Sequence, residues 1–187
     1  NWTNGFWRVP GAFNDVAHKN GVKTGCTYFI DWGAGVNQME EPGKTLYELA
    51  TPGTNSYGDK YKYSRKLIQF LKYYGIDGLC FNPEGYWGYT VYSRFIPFLA
   101  ECHKIAKELN HPFHVDWYAF VSNTGALSDN GCKLTTNNNN WFHHAATNQP
   151  VTDVFFLNYN WSESGLQQSI ETARSHGRST FDVYAGY

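Results

Sequence analysis

Residues 76–85 are the part of the chain whose residue types and spacing could carry out chemistry. Residues 76–81 are typical of a short buried strand, and Asn82-Pro83-Glu84 follows directly. Side chains two residues apart on a strand point to the same face, so Asn82 and Glu84 are predicted to emerge together at its C-terminal end. There Glu84 could transfer a proton while the neutral amide of Asn82 holds a polar part of a substrate. The alternative is that the tripeptide only caps a helix or closes a turn.

The aromatic content favours a carbohydrate site beside Glu84. The chain has 7 Trp, 14 Tyr and 13 Phe, and Tyr86, Trp87 and Tyr89 follow the carboxyl group closely. Aromatic rings can stack on the C–H faces of sugars, although many aromatic residues simply fill a hydrophobic core. Burial beside Tyr86 and Trp87 would raise the pKa of Glu84, which an acid working near neutral pH requires.

Charge and cysteine usage exclude several other classes of function. The net charge of −1 argues against a nucleic-acid groove or an anionic membrane surface as the partner. The four cysteines form no C-x-x-C pair and no zinc-ligand spacing with His. The hydrolytic mechanism discussed below implies no metal and no organic cofactor. No apolar run is long enough to span a bilayer, and no signal peptide begins the chain. We nevertheless favour a secreted or cell-surface location over a cytoplasmic one.

Strands and helices alternate along the chain, which predicts a parallel sheet of about five strands. A complete eight-stranded β/α barrel usually takes roughly 250 residues, so we interpret residues 1–187 as a single domain that forms part of a larger TIM-type barrel. A doubly wound parallel sheet is the second possibility. The predicted strands are residues 22–30, 76–81, 113–118, 153–158 and 181–184. The predicted helices are residues 13–20, 57–74, 90–109, 141–147 and 163–175, with loops at 31–56 and 122–140.

The ends of parallel strands meet at one edge of a sheet, so the residues there are expected to form one site. Each of four strands brings an aromatic residue to this edge, and the first three also bring a carboxylate. This combination predicts a sugar-binding cleft with one central acid. The residues are Asp31 and Trp32, then Asn82, Glu84 and Tyr86, then Asp116, Trp117 and Tyr118, then Asn158, Tyr159 and Trp161.

Two hydrolytic schemes are compatible with these residues. A glycosidase with two carboxylates needs a second acid about 5–9.5 Å from the first, and Asp31 and Asp116 are candidates on other strands. In the scheme that fits better, the substrate's own 2-acetamido oxygen attacks the anomeric carbon, so the protein supplies no nucleophile. Glu84 would then protonate the leaving oxygen, and Asn82 would orient the acetamide.

The chain resembles the endo-β-N-acetylglucosaminidases of glycoside hydrolase family 85. The most specific similarity is Asn82-Pro83-Glu84 within residues 74–84, which resemble the family's catalytic strand. Supporting similarities are spread over nearly the whole chain. They are Val9-Pro10, residues 17–22, Ile30-Asp31-Trp32, Trp117-Tyr118, residues 156–161 and residues 182–186.

The resemblance implies a β/α barrel that cuts the chitobiose core of Asn-linked glycans with retention and by substrate assistance. The substrate would be an N-linked glycan or glycoprotein. The resemblance makes Glu84 the general acid/base, Asn82 the residue that orients the acetamide, and Tyr118 a second contact to the acetamide. Trp32, Asn158 and Trp161 would line the sugar site. It also implies that the first barrel strand, and everything after the strand at Phe181, lie outside this chain.

Two other functions remain as alternatives. A chitinase-like glycosidase would carry the motif D-G-x-D-x-D-x-E, but Cys80 and Asn82 stand where that motif has aspartates. A non-catalytic glycan-binding barrel fragment would keep the aromatic residues and would have no need of Glu84.

Overall fold

The computed structural model describes residues 5–7, 9–30, 49–84, 89–126 and 132–187. The strands within these residues are β1 Gly5–Trp7, β2 Gly25–Ile30, β3 Gly78–Pro83, β4 His114–Tyr118, β5 His143–His144, β6 Gln149–Pro150, β7 Val154–Leu157 and β8 Val183–Ala185. Six of them form the main sheet in the order β1-β2-β3-β4-β7-β8, in which β1 is antiparallel to β2 and the other neighbours are parallel. A separate two-stranded hairpin is formed by β5 and β6.

In the described residues, four α-helices connect or flank these strands. They are α1 Gly11–Lys19, α2 Ser64–Tyr74, α3 Tyr89–Glu108 and α4 Glu163–Ser175, with short 3₁₀ turns at Asn139–Trp141 and Thr180–Asp182. The α4 bounds match the prediction because Ser162 caps the helix by accepting a hydrogen bond from the backbone N–H of Gly165. The chain then turns at Gly177, whose φ of 67° suits glycine.

The five neighbouring parallel strands confirm the predicted fold class. They occur in the sheet in the same order as in the chain, from β2 to β8. A doubly wound sheet would reverse its strand order at a switch point. The described residues show no such reversal, so the arrangement is that of consecutive β/α units of a barrel, although the described strands do not close into one.

Helix α2 begins later than predicted, at Ser64 instead of residue 57. The side-chain oxygen of Asn55 accepts hydrogen bonds from the backbone N–H groups of Tyr57 and Asp59, which holds this segment in a turn. Within α2, Leu67, Ile68 and Leu71 are buried against the sheet. The helix ends where the prediction placed its end, at a left-handed Gly75.

Asp77 fixes the position of β3 beside β2. Its backbone N–H donates to the Thr24 carbonyl oxygen at 2.8 Å, and its carboxylate accepts from the Thr24 N–H at 2.7 Å. The same carboxylate oxygen lies 2.8 Å from Nε2 of His18 on α1. The Asp77 carbonyl oxygen in turn accepts from the N–H of His114 at the start of β4. One residue therefore links α1, β2, β3 and β4.

Gly78 allows β3 and β4 to approach each other closely. A Cβ atom at this position would collide with the carbonyl oxygen of His114. Any larger residue would push the strands apart, because the obstacle is backbone and not a flexible side chain. Asp77 and Gly78 thus stabilise the sheet. They also set the register of β3, which determines where Asn82 and Glu84 lie.

The connection from β4 to β7 differs from both predictions made for it. Residues 122–140 were predicted to be an exposed loop, but Asn138 is 1% exposed. Its amide accepts from the Thr135 N–H and donates to the Lys133 carbonyl oxygen, so this side chain replaces backbone partners in a segment without regular structure. In place of the predicted helix at residues 141–147 the chain forms the β5–β6 hairpin.

Trp141 explains why this irregular connection packs tightly. Its ring stacks on Trp117 of β4 with centroids 4.0 Å apart and planes 5° apart. Leu134, Phe142 and Val151 join it in the buried cluster. The β4–β7 connection therefore covers the sheet in the place of a helix. Burial of its apolar side chains stabilises it, although it lacks the regular backbone hydrogen bonds of a helix.

We expect Asp77→Ala to lower the free energy of unfolding by about 2 kcal/mol, because the buried Thr24 N–H would lose its acceptor. Asp77→Asn retains an acceptor oxygen and should cost less. Asp15→Ala, at an exposed position of α1, is the matched control and should change stability by no more than about 0.5 kcal/mol. Urea denaturation measures all three, and equal losses for Asp77→Ala and Asp15→Ala would contradict the proposed link.

Candidate active site

The structure places Asn82 and Tyr118 side by side on neighbouring strands. Phe81 pairs with Trp117 in the β3–β4 register, and Asn82 and Tyr118 are the next residue on each strand. Because side chains alternate along a strand, both point away from the hydrophobic core that Phe81 and Trp117 occupy. Glu84 follows β3 two residues after Asn82 and is half-buried.

Within the described part of the chain, the carboxamide oxygen of Asn82 is an acceptor without a donor. Its Oδ1 is inaccessible to solvent, and among the described residues no group donates a hydrogen bond to it. Leaving a buried polar atom unpaired costs about 1–3 kcal/mol. A donor N–H group that reaches this oxygen would recover that cost.

Tyr118 lies close to Glu84 in a buried setting. The tyrosine is 6% exposed, and burial raises the pKa of its phenol well above its usual range. The negative charge of Glu84 raises the same pKa further, as does the neighbouring Tyr159. The Tyr118 hydroxyl is therefore protonated at physiological pH, and it can donate a hydrogen bond.

Trp117 does not lie with Asn82 and Glu84, contrary to the interpretation of the strand end as one site. It is 1% exposed and is covered by Trp141 on the core side of the sheet. The physical reason is the alternation of β4, which directs Tyr118 to one face and Trp117 to the other. Its surroundings make Trp117 a packing residue and not a surface for sugar stacking.

Asn158, Tyr159 and Trp161 follow β7 at the same edge of the sheet. The Tyr159 ring is 64% exposed and contacts Phe156 edge-on, with centroids 6.1 Å apart. The Trp161 indole N–H donates to the Gly186 carbonyl oxygen at 2.7 Å, which ties this loop to the end of β8. Asn158 is half-buried, and its carbonyl oxygen accepts from the Trp161 N–H.

Four predicted residues cannot be placed relative to this group. Asp31 and Trp32, which were predicted to line the site, lie outside the described residues, as do Tyr86 and Trp87.

Asp116, the second candidate carboxylate, is engaged elsewhere. It lies within β4, one level below Tyr118, and its Oδ1 is 2.8 Å from Nε2 of His114. The pair faces a cavity of about 260 Å³ that Lys23 and Asp77 also line. This cavity lies at the N-terminal ends of the strands, whereas Glu84 lies at their C-terminal ends.

Two aromatic residues of this region were not singled out from the sequence. Phe120 stacks on Tyr118 with centroids 5.7 Å apart and planes 11° apart, and Phe156 contacts the same ring at 5.8 Å. Phe156 could have been found by alternation, since it precedes Asn158 by two residues on β7. Phe120 follows the end of β4, and no sequence pattern places it.

The described part of the chain contains no group of three or more His, Cys, Asp or Glu side chains that could hold a metal ion. No helix within it has both the length and the apolar character needed to cross a membrane.

The chain belongs to glycosyl hydrolase family 85, whose sequence profile matches residues 5–187. It is 27% identical over 179 residues to the cytosolic endo-beta-N-acetylglucosaminidase of Danio rerio, covering 95% of this chain and 22% of the relative. Among solved structures it is similar to the glycoside hydrolase domain of Endo-D from Streptococcus pneumoniae R6. That match has a TM-score of 0.78 and 25% identity, and it covers 95% of this chain and 27% of the other.

A chitinase shares the fold at lower similarity. Catalytic domain 2 of the Group II chitinase from Ostrinia furnacalis gives a TM-score of 0.54 at 11% identity, covering 93% of this chain and 47% of that domain's chain. At this identity the likeness concerns the fold alone.

The expected secreted or cell-surface location is contradicted by these comparisons. The relative from Danio rerio is named a cytosolic enzyme, as are relatives from Arabidopsis thaliana, Gallus gallus and Homo sapiens. The first residues of this sequence did not discriminate between the compartments.

We expect the His114 ring to titrate above its ordinary pKa of 6.5, because the hydrogen bond with Asp116 stabilises the protonated form. The ion pair then stabilises the fold below pH 6.5, and this contribution is lost as the pH rises through the folded-state pKa. Asp116→Asn should lower the His114 pKa, whereas Asp15→Asn should leave it unchanged. Titration followed by NMR measures both, and a His114 pKa unaffected by Asp116→Asn would contradict the pairing.

Proposed function

We propose that the chain carries the catalytic acid of an endo-β-N-acetylglucosaminidase that cuts the chitobiose core of Asn-linked glycans. The reaction would proceed with retention and with the substrate's 2-acetamido group as nucleophile. The observation that carries this proposal is the unpaired, buried Oδ1 of Asn82 beside Glu84 and Tyr118. Family membership and the names of the relatives support it.

The chain spans 22% of the length of its Danio rerio relative, so the activity is proposed for the protein to which these residues belong. Residues 1–187 would act as a single β/α domain that forms part of a larger catalytic barrel. The proposed substrate is an N-linked glycan or a glycoprotein that carries one.

In the first step, the acetamido oxygen attacks the anomeric carbon while Glu84 donates its proton to the leaving glycosidic oxygen. The C–O bond to the leaving sugar breaks, and an oxazolinium ring forms on the GlcNAc that remains bound. Asn82 Oδ1 accepts a hydrogen bond from the acetamide N–H, which increases the electron density on the attacking oxygen. The protonated Tyr118 hydroxyl provides a second polar contact to the same group.

In the second step, the Glu84 carboxylate takes a proton from water, and the water oxygen attacks the anomeric carbon. The oxazolinium ring opens, the acetamide is restored, and the product keeps the configuration of the substrate because two inversions have occurred. Glu84 ends the cycle protonated. The scheme uses one protein carboxylate, which agrees with the engagement of Asp116 by His114.

The chitinase-like alternative is weaker at the level of residues. Cys80 stands where that motif has a carboxylate, and burial raises the pKa of its thiol to about 12, with the charge of Asp116 adding to the effect. A thiol with this pKa is neutral at physiological pH. It therefore cannot supply the negative charge that an aspartate would supply beneath Asn82.

Glu84→Gln should abolish cleavage, with a fall in kcat of at least about 10³-fold, because the variant can neither donate nor accept the proton. Glycan binding should persist, since the amide has nearly the shape of the carboxyl group. Mass spectrometry of a high-mannose glycoprotein should show a single GlcNAc left on Asn with the unaltered chain only. Glu163→Gln, at an exposed position of α4, is the matched control and should retain full cleavage.

Retained glycan binding without cleavage by the unaltered protein to which these residues belong would instead favour a non-catalytic glycan-binding barrel. Cleavage by Glu84→Gln at the normal rate would remove Glu84 from the mechanism.

The role of the acetamide can be tested by changing the substrate. Fluorine atoms on the acetyl group of the GlcNAc at the cleaved bond withdraw electrons from its oxygen. We therefore expect kcat to fall progressively from acetamido to monofluoro-, difluoro- and trifluoroacetamido substrates. A rate independent of fluorine number would point to a protein nucleophile, which the two-carboxylate scheme requires.

A further inference from the structure

Four aromatic rings form a continuous series along the site edge of β4 and β7. Phe120 contacts Tyr118 at 5.7 Å, Tyr118 contacts Phe156 at 5.8 Å, and Phe156 contacts Tyr159 at 6.1 Å between ring centroids. Only the Phe120–Tyr118 pair is nearly parallel, with 11° between the planes, whereas the other two pairs are tilted or edge-on. The Phe120 ring therefore lies nearly parallel to the Tyr118 ring and is offset from it.

The backbone holds Phe120 in this place. Its N–H donates to the Tyr118 carbonyl oxygen at 2.8 Å, which closes a three-residue turn centred on Ala119. The Ala119 N–H donates to the Phe156 carbonyl oxygen at 2.9 Å, which extends the pairing of β4 with β7 by one bond. Ala119 is fully buried, so the turn has little freedom to move.

A tyrosine hydroxyl acts as a directed donor only if its ring is held in one orientation. The ring can turn about the bonds that join it to the strand, and contacts to its face and edge restrict both rotations. The contacts from Phe120 and Phe156 provide this restriction on the side of the sheet that carries Asn82.

We propose that Phe120 is a positioning residue, which holds the Tyr118 ring so that its hydroxyl reaches the substrate acetamide. The proposal rests on the proposed function for the part that concerns the reaction. Phe120 itself contacts no reacting atom, and it acts through Tyr118.

Phe120→Leu keeps an apolar side chain and removes the ring. It should lower kcat about tenfold with KM nearly unchanged, because a displaced hydroxyl weakens the reacting state more than binding. Phe120→Tyr retains the stacked ring and should restore kcat to near that of the unaltered chain. Phe13→Leu, the same change at an exposed residue of α1, should leave kcat as it is.

A double-mutant cycle separates positioning from a general effect on the fold. If Phe120 acts through the Tyr118 hydroxyl, Phe120→Leu should have almost no further effect on kcat in a Tyr118→Phe background. An undiminished tenfold loss in that background would overturn the proposal. So would a kcat of Phe120→Leu equal to that of Phe13→Leu.

A second readout does not depend on activity. Tetranitromethane nitrates accessible tyrosines, and mass spectrometry locates the modified residue. Nitration of Tyr118 should be slow in the unaltered chain and in Phe120→Tyr, and clearly faster in Phe120→Leu. Faster nitration in a chain that cleaves no glycan would support the positioning and refute the proposed function, whereas unchanged nitration would overturn the positioning itself.

Discussion

The arrangement of this chain depends on the way Asp77 fastens the beginning of β3. Its backbone and carboxylate both pair with Thr24, its carbonyl oxygen accepts from His114, and Gly78 beside it allows the neighbouring strand to approach. Because β3 is only six residues long, its register at one end determines which side chains appear at the other. Asp153 makes the same kind of contact before β7, where its N–H donates to the Val115 carbonyl oxygen and its carboxylate accepts from the Val115 N–H.

Alternation along the strands then divides the chain into a packing face and a site face. Phe81 and Trp117 point into the core, whereas Asn82 and Tyr118, one residue further on, point the other way. The packing face is filled by unusually large rings, among them the stacked pair of Trp117 and Trp141. Such rings restrict movement of the strands beneath the site, since a closely packed interior cannot adjust without losing contacts.

The site combines two groups whose properties depend on burial. An unpaired carboxamide oxygen is costly in a folded protein, and a phenol with a raised pKa keeps its proton. Both features favour a neutral ligand with amide groups over a charged one. A site of this kind gains binding energy mainly from a correctly placed N–H group, and this agrees with the chemistry of an N-acetylated sugar. Membership of glycosyl hydrolase family 85 supports the substrate proposed above.

The sequence by itself determined the alternation of strands and helices, the bounds of α4, and the position of Asn82 and Glu84 at the end of β3, because these depend on local spacing, capping and glycine. It did not predict the β4–β7 connection, where Asn138 and Trp141 are stabilised by partners outside their own segment. The sequence also predicted, wrongly, that Trp117 lies in the site. The position of a residue at a strand end does not show which face of the sheet is covered by the rest of the chain. Only the tertiary structure decided which face of the sheet is covered and that Phe120 contacts Tyr118. The physical reason is that both depend on a turn or on a neighbouring segment of the chain, which local sequence patterns do not describe.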